Sequence, residues 1–95
     1  MATESFLATQ HKTLLVDITV DEHGDSTDAR AIVQIDGEKI GGWGRARRNP
    51  VDPRVPRIGD ELAIARALND LSNKIIEAAT LEVEQFSSAA VYLHS

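Results

Sequence analysis

Three prolines, Pro50, Pro53 and Pro56, stand at three-residue intervals near the middle of a 95-residue chain and separate two hydrophobic rhythms. Each fixes its own φ and pushes the residue before it toward extended backbone, so residues 48–59 form a stiff crossing segment rather than a loose linker. Before the prolines, apolar residues recur at every second position; after them, they recur with the helical period. Strands followed by a helix make an α+β domain, and a chain of this length holds one domain.

Residues 12–21 alternate, with Leu14, Val16, Ile18 and Val20 on one face, and predict a half-buried first strand. The turn formers Glu22, His23, Gly24, Asp25 and Ser26 then reverse the chain. A second strand is expected over residues 28–36, with Ala29, Ala31, Val33 and Ile35 pointing one way. Asp36-Gly37 predicts a tight hairpin, because a type I′ turn needs positive φ and glycine adopts it without strain. The third strand covers residues 38–47 and carries Ile40, Trp43 and three glycines. Three strands joined by two short turns form an antiparallel meander.

The helix is expected to begin at Gly59 or Asp60, with Asp60 and Glu61 set against its positive end. Arg66, Asp70, Asn73, Lys74, Glu77 and Glu84 fall on one side; Leu62, Ala65, Leu68, Leu71, Ile75, Ile76, Ala79, Val83 and Phe86 spread over the other. Leu81 on the polar side marks a bend, a break or a second contact near Ala79 and Thr80. Run to Phe86, this helix is ~40 Å long, against ~30 Å for a nine-residue strand. Its apolar stripe also exceeds the ~100° of an ordinary surface helix. Both excesses call for a second covering surface, so a homodimer is expected, with Ile75, Ile76 and Phe86 at the seam. The domain thus covers residues 12–86, between tails at 1–11 and 87–95; in the latter, Val91, Tyr92 and Leu93 order only by docking.

Charge and composition narrow the function. Ten basic and fifteen acidic residues give a net charge of −5, which argues against a protein that coats itself with nucleic acid. Without cysteine there is no disulfide, thiolate metal site or cysteine nucleophile. With no signal peptide and no apolar run of ~20 residues, a cytoplasmic protein with no membrane partner is expected. Residues 39–57 hold six cations against Asp52 alone, a local +5. Arg45, Arg47, Arg48, Arg54 and Arg57 form the candidate binding patch, able to grip phosphates or a partner's carboxylates. Alternatively, they pair within the chain with the acidic turn of Asp21, Glu22, Asp25 and Asp28.

Other motifs carry less chemistry. Residues 41–44, Gly-Gly-Trp-Gly, lack the Lys-Ser/Thr of a phosphate-binding loop; such glycines mark a bulge or a close backbone approach. Trp43 reads as a core or interface residue rather than a base-stacking platform. Asp21, Glu22, His23 and Asp25 lack the ligand alternation of a calcium loop and the extra His or Cys of a zinc site. No serine sits in a nucleophile elbow. No catalytic residue, metal, cofactor or small-molecule substrate is therefore expected, and the chain is not expected to be an enzyme.

VDITVDEH at residues 16–23 and GWGRARRNPVDPRVPRIGDELAIARALNDL at residues 42–71 resemble a family of small actinobacterial proteins of unknown function. The resemblance covers residues 12 to about 85 and is most specific between Gly44 and Leu71. It implies a fold like double-stranded-RNA-binding domains (dsRBD-like), with a long helix packed on one face of a three-stranded sheet. It further implies dimers, a setting in dormancy or stress, and a likeness to ribosome-hibernation factors. The sequence departs from RNA-binding relatives of that fold where a lysine cluster would open the helix, since Gly59-Asp60-Glu61 stands there instead. Two functional expectations follow: a stress-associated binding protein contacting the ribosome or RNA through the arginines, or a homodimeric protein-interaction module without nucleic acid. Small-ligand binding at the dimer seam is a third.

Overall fold

A computed structural model describes residues 8–94; residues 1–7 of the expected N-terminal tail, and Ser95, lie outside the described residues. Strand β1 runs Val16–His23, β2 Ser26–Ile35 and β3 Glu38–Arg47, and one helix, α1, runs Pro56–His94. The strands form one antiparallel sheet in the order β1-β2-β3. The expected α+β meander with a long C-terminal helix on one face is the fold.

The β2–β3 hairpin closes at Asp36 and Gly37, with φ of 48° and 87°, the pair of positive angles that a two-residue I′ turn requires. Counting outward from that turn fixes the register: Ile35 faces Glu38, Val33 faces Ile40, Arg30 faces Trp43 and Asp28 faces Arg45. The first turn is also shorter than its composition suggests. His23 pairs with Ser26, leaving only Gly24 and Asp25 between the strands. β1 starts at Val16 rather than residue 12, because its ladder with β2 begins where Val16 meets Val33.

The helix departs from expectation at both ends. It opens at Pro56, where a proline costs no hydrogen bond because that N–H would be orphaned anyway. Asp60 and Glu61 therefore sit in the second turn, and the first turn holds no acidic residue. It closes at His94, so residues 87–94, read as tail, continue the helix. No break occurs near Ala79 and Thr80; the Thr80 hydroxyl instead donates to the Ile76 carbonyl at 2.8 Å, one turn back.

The seat of the helix is set by glycine and alanine. A Cβ added at Gly42 would lie 2.3 Å from the Leu71 nitrogen, and one at Gly44 2.4 Å from the Ala67 nitrogen. The helix backbone thus rests on the β3 backbone at two points, and only hydrogen fits between them. Ala63, Ala67 and Leu71, four residues apart, face this seam and are buried. Ala29, Ala31, Val33 and Ala46 complete the core from the sheet, so five of its seven side chains are alanine. This corrects the expected phasing: Leu62 and Leu68 are exposed, while Ala63 and Ala67 turn inward.

Such a seat leaves one side bare. A helix is ~10 Å across and strands lie ~4.8 Å apart, so one helix covers two strands. Here it lies over β3 and β2 and barely touches β1. Val16 and Ile18 point to the helix side yet remain 43% and 41% exposed. Among the described residues Ile75 is the last side chain packed on the core, and Ile76, Leu81, Val83 and Phe86 beyond it are exposed. The radius of gyration is accordingly 20.0 Å, against about 12 Å for a compact chain of this length.

Candidate functional site

The five candidate arginines do not form one surface. β3 ends at Arg47, and the residues after it cross from the sheet to the helix. Arg48 ties that crossing down. Its backbone N–H donates to the Asp25 carbonyl at 2.8 Å, and Nε and Nη2 donate to Asp25 Oδ1 at 3.0 and 2.8 Å. Nη1 donates to the carbonyls of Asn49, Pro50 and Asp52, the last at 2.6 Å. Arg48 is thus a clamp between the β1–β2 turn and the proline segment, its donors spent within the chain.

The other arginines divide similarly. Arg45 meets Asp28, its cross-strand partner, through two bonds of 2.6 and 3.2 Å. Hydrogen bonding to Arg45 holds the Asp28 carboxyl below the usual range, against a smaller opposing effect of burial, and the same bonds raise the Arg45 pKa. Arg57 pairs with Glu61 one turn on, at 2.8 Å, and Arg54 approaches Asp25 at 3.9 Å. Arg47 alone of the five makes no ion pair among the described residues. The internal pairing with the acidic turn thus holds for Arg45, Arg48 and Arg54, through Asp25 and Asp28, and not for Arg47 or Arg57.

Around Arg47, Arg48 and Arg54 lies a half-open cleft of about 700 Å³ between the β1–β2 turn, the proline segment and the first turns of the helix. Val55, Pro56, Ile58 and Leu62 supply its apolar wall, and Glu22 and Asp25 its acidic rim. Asp60 Oδ1 is buried beside this region without a hydrogen-bond donor. Glu22 supplies one when protonated. Its hydrogen bond to Asp60, reinforced by the repulsion between the two carboxylates, raises the Glu22 pKa above the ordinary value.

Sequence reasoning placed Trp43 in the core or an interface; the structure removes it from the core. Burial alternates along β3, with Gly42, Gly44 and Ala46 against the helix, so Trp43 lies on the opposite face, 49% exposed. The Arg45 guanidinium stands 5.3 Å from its ring centroid, within cation–π range. Asp70 and Arg66, read only as polar-face residues, close the outer edge of β3. Asp70 Oδ2 accepts from the Trp43 backbone N–H at 2.9 Å, and Arg66 Nη1 donates to the Arg45 carbonyl at 2.8 Å. The alternation of Gly42 and Gly44 is the signal that a helix, and its edge-capping side chains, comes this close.

The expected seam residues separate as well. Ile75 is half-buried against its own core, whereas Ile76 and Phe86 are 60% and 77% exposed. Ile76, Ala79 and Val83 border a shallow apolar surface on the projecting helix. Among the described residues no helix is long and apolar enough to cross a membrane.

Comparison with known proteins places these features in a lineage. A family model described as Rv2632c-like matches residues 12–92. The uncharacterized protein MT1780 of Mycobacterium tuberculosis is 45% identical over 75 residues, covering 79% of this chain and 78% of that protein. The uncharacterized protein Rv2632c of the same species is 42% identical over 73 residues, covering 77% and 78%. The crystal structure of Rv2632c superposes with a TM-score of 0.75 at 40% identity, over 81% of this chain and 92% of that one.

Proposed function

The chain belongs to the Rv2632c-like family, and from that membership and its geometry we propose that it is a non-catalytic, stress-associated binding protein that works as a homodimer. One observation carries this reading: apolar side chains stand uncovered both on the inner face of β1 and on the projecting helix. Val16 and Ile18 on the strand and Ile76, Val83 and Phe86 on the helix make up this bare strip, all exposed in the single chain. A core with five alanines among seven side chains gains little from burial on its own, so association is where this fold buries its larger apolar residues. A second copy presenting the same strip covers both deficits by a self-matching contact.

The geometry supports this more than the reading in which Arg45, Arg47, Arg48, Arg54 and Arg57 together grip RNA or the ribosome. Four of the five already hold carboxylates, and Arg48 also holds three carbonyls. Thermal unfolding at increasing protein concentration tests the proposal. A dimer whose partners stabilise each other unfolds at a temperature that rises with concentration. Ile76→Asp is expected to abolish that rise while retaining the helical dichroism of the folded chain. A midpoint independent of concentration in the unsubstituted protein refutes the proposal.

A further inference from the structure

The face of the sheet turned away from the helix is a second surface, built from different residues. β2 and β3 contribute Asp28, Arg30, Ile32 and Gln34 from one strand, and Lys39, Gly41, Trp43, Arg45 and Arg47 from the other. On these two strands four cations stand against one carboxylate, while β1 adds Asp17 and Asp21 along the far edge of the same face, paired with Ile32 and Asp28. Asp28 is spent on Arg45, and Arg30, Lys39 and Arg47 make no ion pair among the described residues. A chain of net charge −5 thus concentrates unpaired positive charge on half of one face.

Trp43 stands at its centre. Arg30 is its direct cross-strand neighbour. Lys39 and Arg47 lie four residues either side of it along β3, about 13 Å away at ~3.3 Å per residue. Arg45, anchored by Asp28, stands over the ring, while two residues from Trp43 on the same face Gly41 presents no side chain. A Cβ at Gly41 would have only Ile32 and Ala31 atoms within 4 Å, the nearest at 3.7 Å, so the space beside the tryptophan is unfilled. The exposed ring is flanked by two cations, Arg30 across the strand and Arg45 along it, with the Asp70 carboxylate held at the backbone N–H on the sheet edge.

We propose that this face binds single-stranded nucleic acid, one base stacking on Trp43 while flanking phosphates meet Arg30, Arg47 and Lys39. A ligand that alternates flat rings with anions matches a ring set among spaced cations. The face is open and its cations are spread along the strand, which suits an extended chain rather than a free nucleotide. Acidic peptides match the charge but leave the ring without a stacking partner. Duplexes are excluded by the same feature, since their bases are already stacked on one another. The surface lies opposite the strip proposed for dimerisation, so occupancy of one does not cover the other, and the two proposals fail independently.

Trp43 is the only tryptophan, so its fluorescence reports on this site alone. Titration of the full chain with a fluorescence-silent oligouridylate at low salt is expected to quench it saturably. Polarisation of a labelled oligouridylate follows the variants. Trp43→Ala is expected to weaken binding about tenfold, the usual loss of one stacked base. Arg30→Ala and Arg47→Ala, at exposed positions where dichroism will verify folding, are each expected to lower the salt slope by about 0.7, the share of one phosphate on a single strand. Absence of quenching overturns the proposal, as does equal affinity of the Trp43→Ala variant. Stronger binding of polyglutamate, of a duplex of the same sequence or of free uridine monophosphate would assign the face to that ligand class instead.

Discussion

The two edges of the sheet receive opposite treatment from one helix. At β3 the helix backbone touches the strand through Gly42 and Gly44, and Asp70 and Arg66 satisfy an outward N–H and an outward carbonyl. At β1 the helix is too far away to cover Val16 or Ile18. Plugging an edge with charged side chains is a known guard against strand-to-strand aggregation. The difference teaches that side-chain size at one seam decides exposure at the other. Because hydrogen and methyl groups line the β3 seam, the helix sinks there and leaves β1 uncovered.

Filling the seam is the strongest way to break this asymmetry. Gly44→Val places a side chain against the helix backbone at Ala67 and is expected to cost at least the ~3 kcal/mol at the upper end of ordinary overpacking. Urea unfolding measures it. Gly41→Val, on the same strand but facing open space, is expected to change stability by no more than about 0.5 kcal/mol. Equal effects at the two positions would dissolve the contrast between the faces.

On the bare side, Ile18→Asp is expected to leave the monomer folded and to weaken pairing about tenfold or more, since a central contact at an interface contributes over ~1 kcal/mol. Sedimentation velocity follows this directly. Asp70→Ala removes the acceptor of the Trp43 N–H and is expected to cost about 1 kcal/mol, with Asp70→Asn restoring much of it. It also unplugs the β3 edge, so a rise in light scattering on storage should accompany it.

The smallest effect concerns protons. Glu22 has a raised pKa, so its contribution to stability is present below its unfolded pKa and lost as pH rises through the folded one. Asp28 has a lowered pKa, so its contribution is present above its unfolded pKa and lost as pH falls through the folded one. Glu22→Gln, which donates a hydrogen bond to Asp60 at every pH, is expected to stabilise the protein slightly near neutrality and to erase the first dependence. Asp28→Asn is expected to erase the second. Melting temperatures measured from pH 3 to 7 separate them, because the two slopes have opposite sign.

The sheet was largely legible because its signals are local. Period-two alternation and Asp36-Gly37 place β3 as observed, and counting outward from that turn sets Asp28 opposite Arg45 and Arg30 opposite Trp43. The arginine cluster and the acidic turn able to pair with it are visible in the sequence, but the individual partners are not, since Asp25 and Arg48 are 23 residues apart and meet only after both turns close. The large residues Leu62, Leu68 and Leu71 dominate the helical pattern in the sequence, yet only Leu71 is buried, and Ala63 and Ala67 pack beside it. Alanine carries little hydrophobic signal. Its four-residue spacing, matched to the two-residue spacing of Gly42 and Gly44, was the better guide. Pro56 hid the helix start because proline reads first as a breaker, although it fits the first turn well.

Whether the bare strip is covered by a second copy rests on mass in solution. Sedimentation equilibrium of the full chain at micromolar concentrations is the most direct measurement. A mass near twice 10.4 kDa is expected for the unsubstituted protein, falling toward 10.4 kDa in the Ile18→Asp and Ile76→Asp variants. A mass of 10.4 kDa for the unsubstituted chain throughout that range would contradict the proposal that pairing completes this fold.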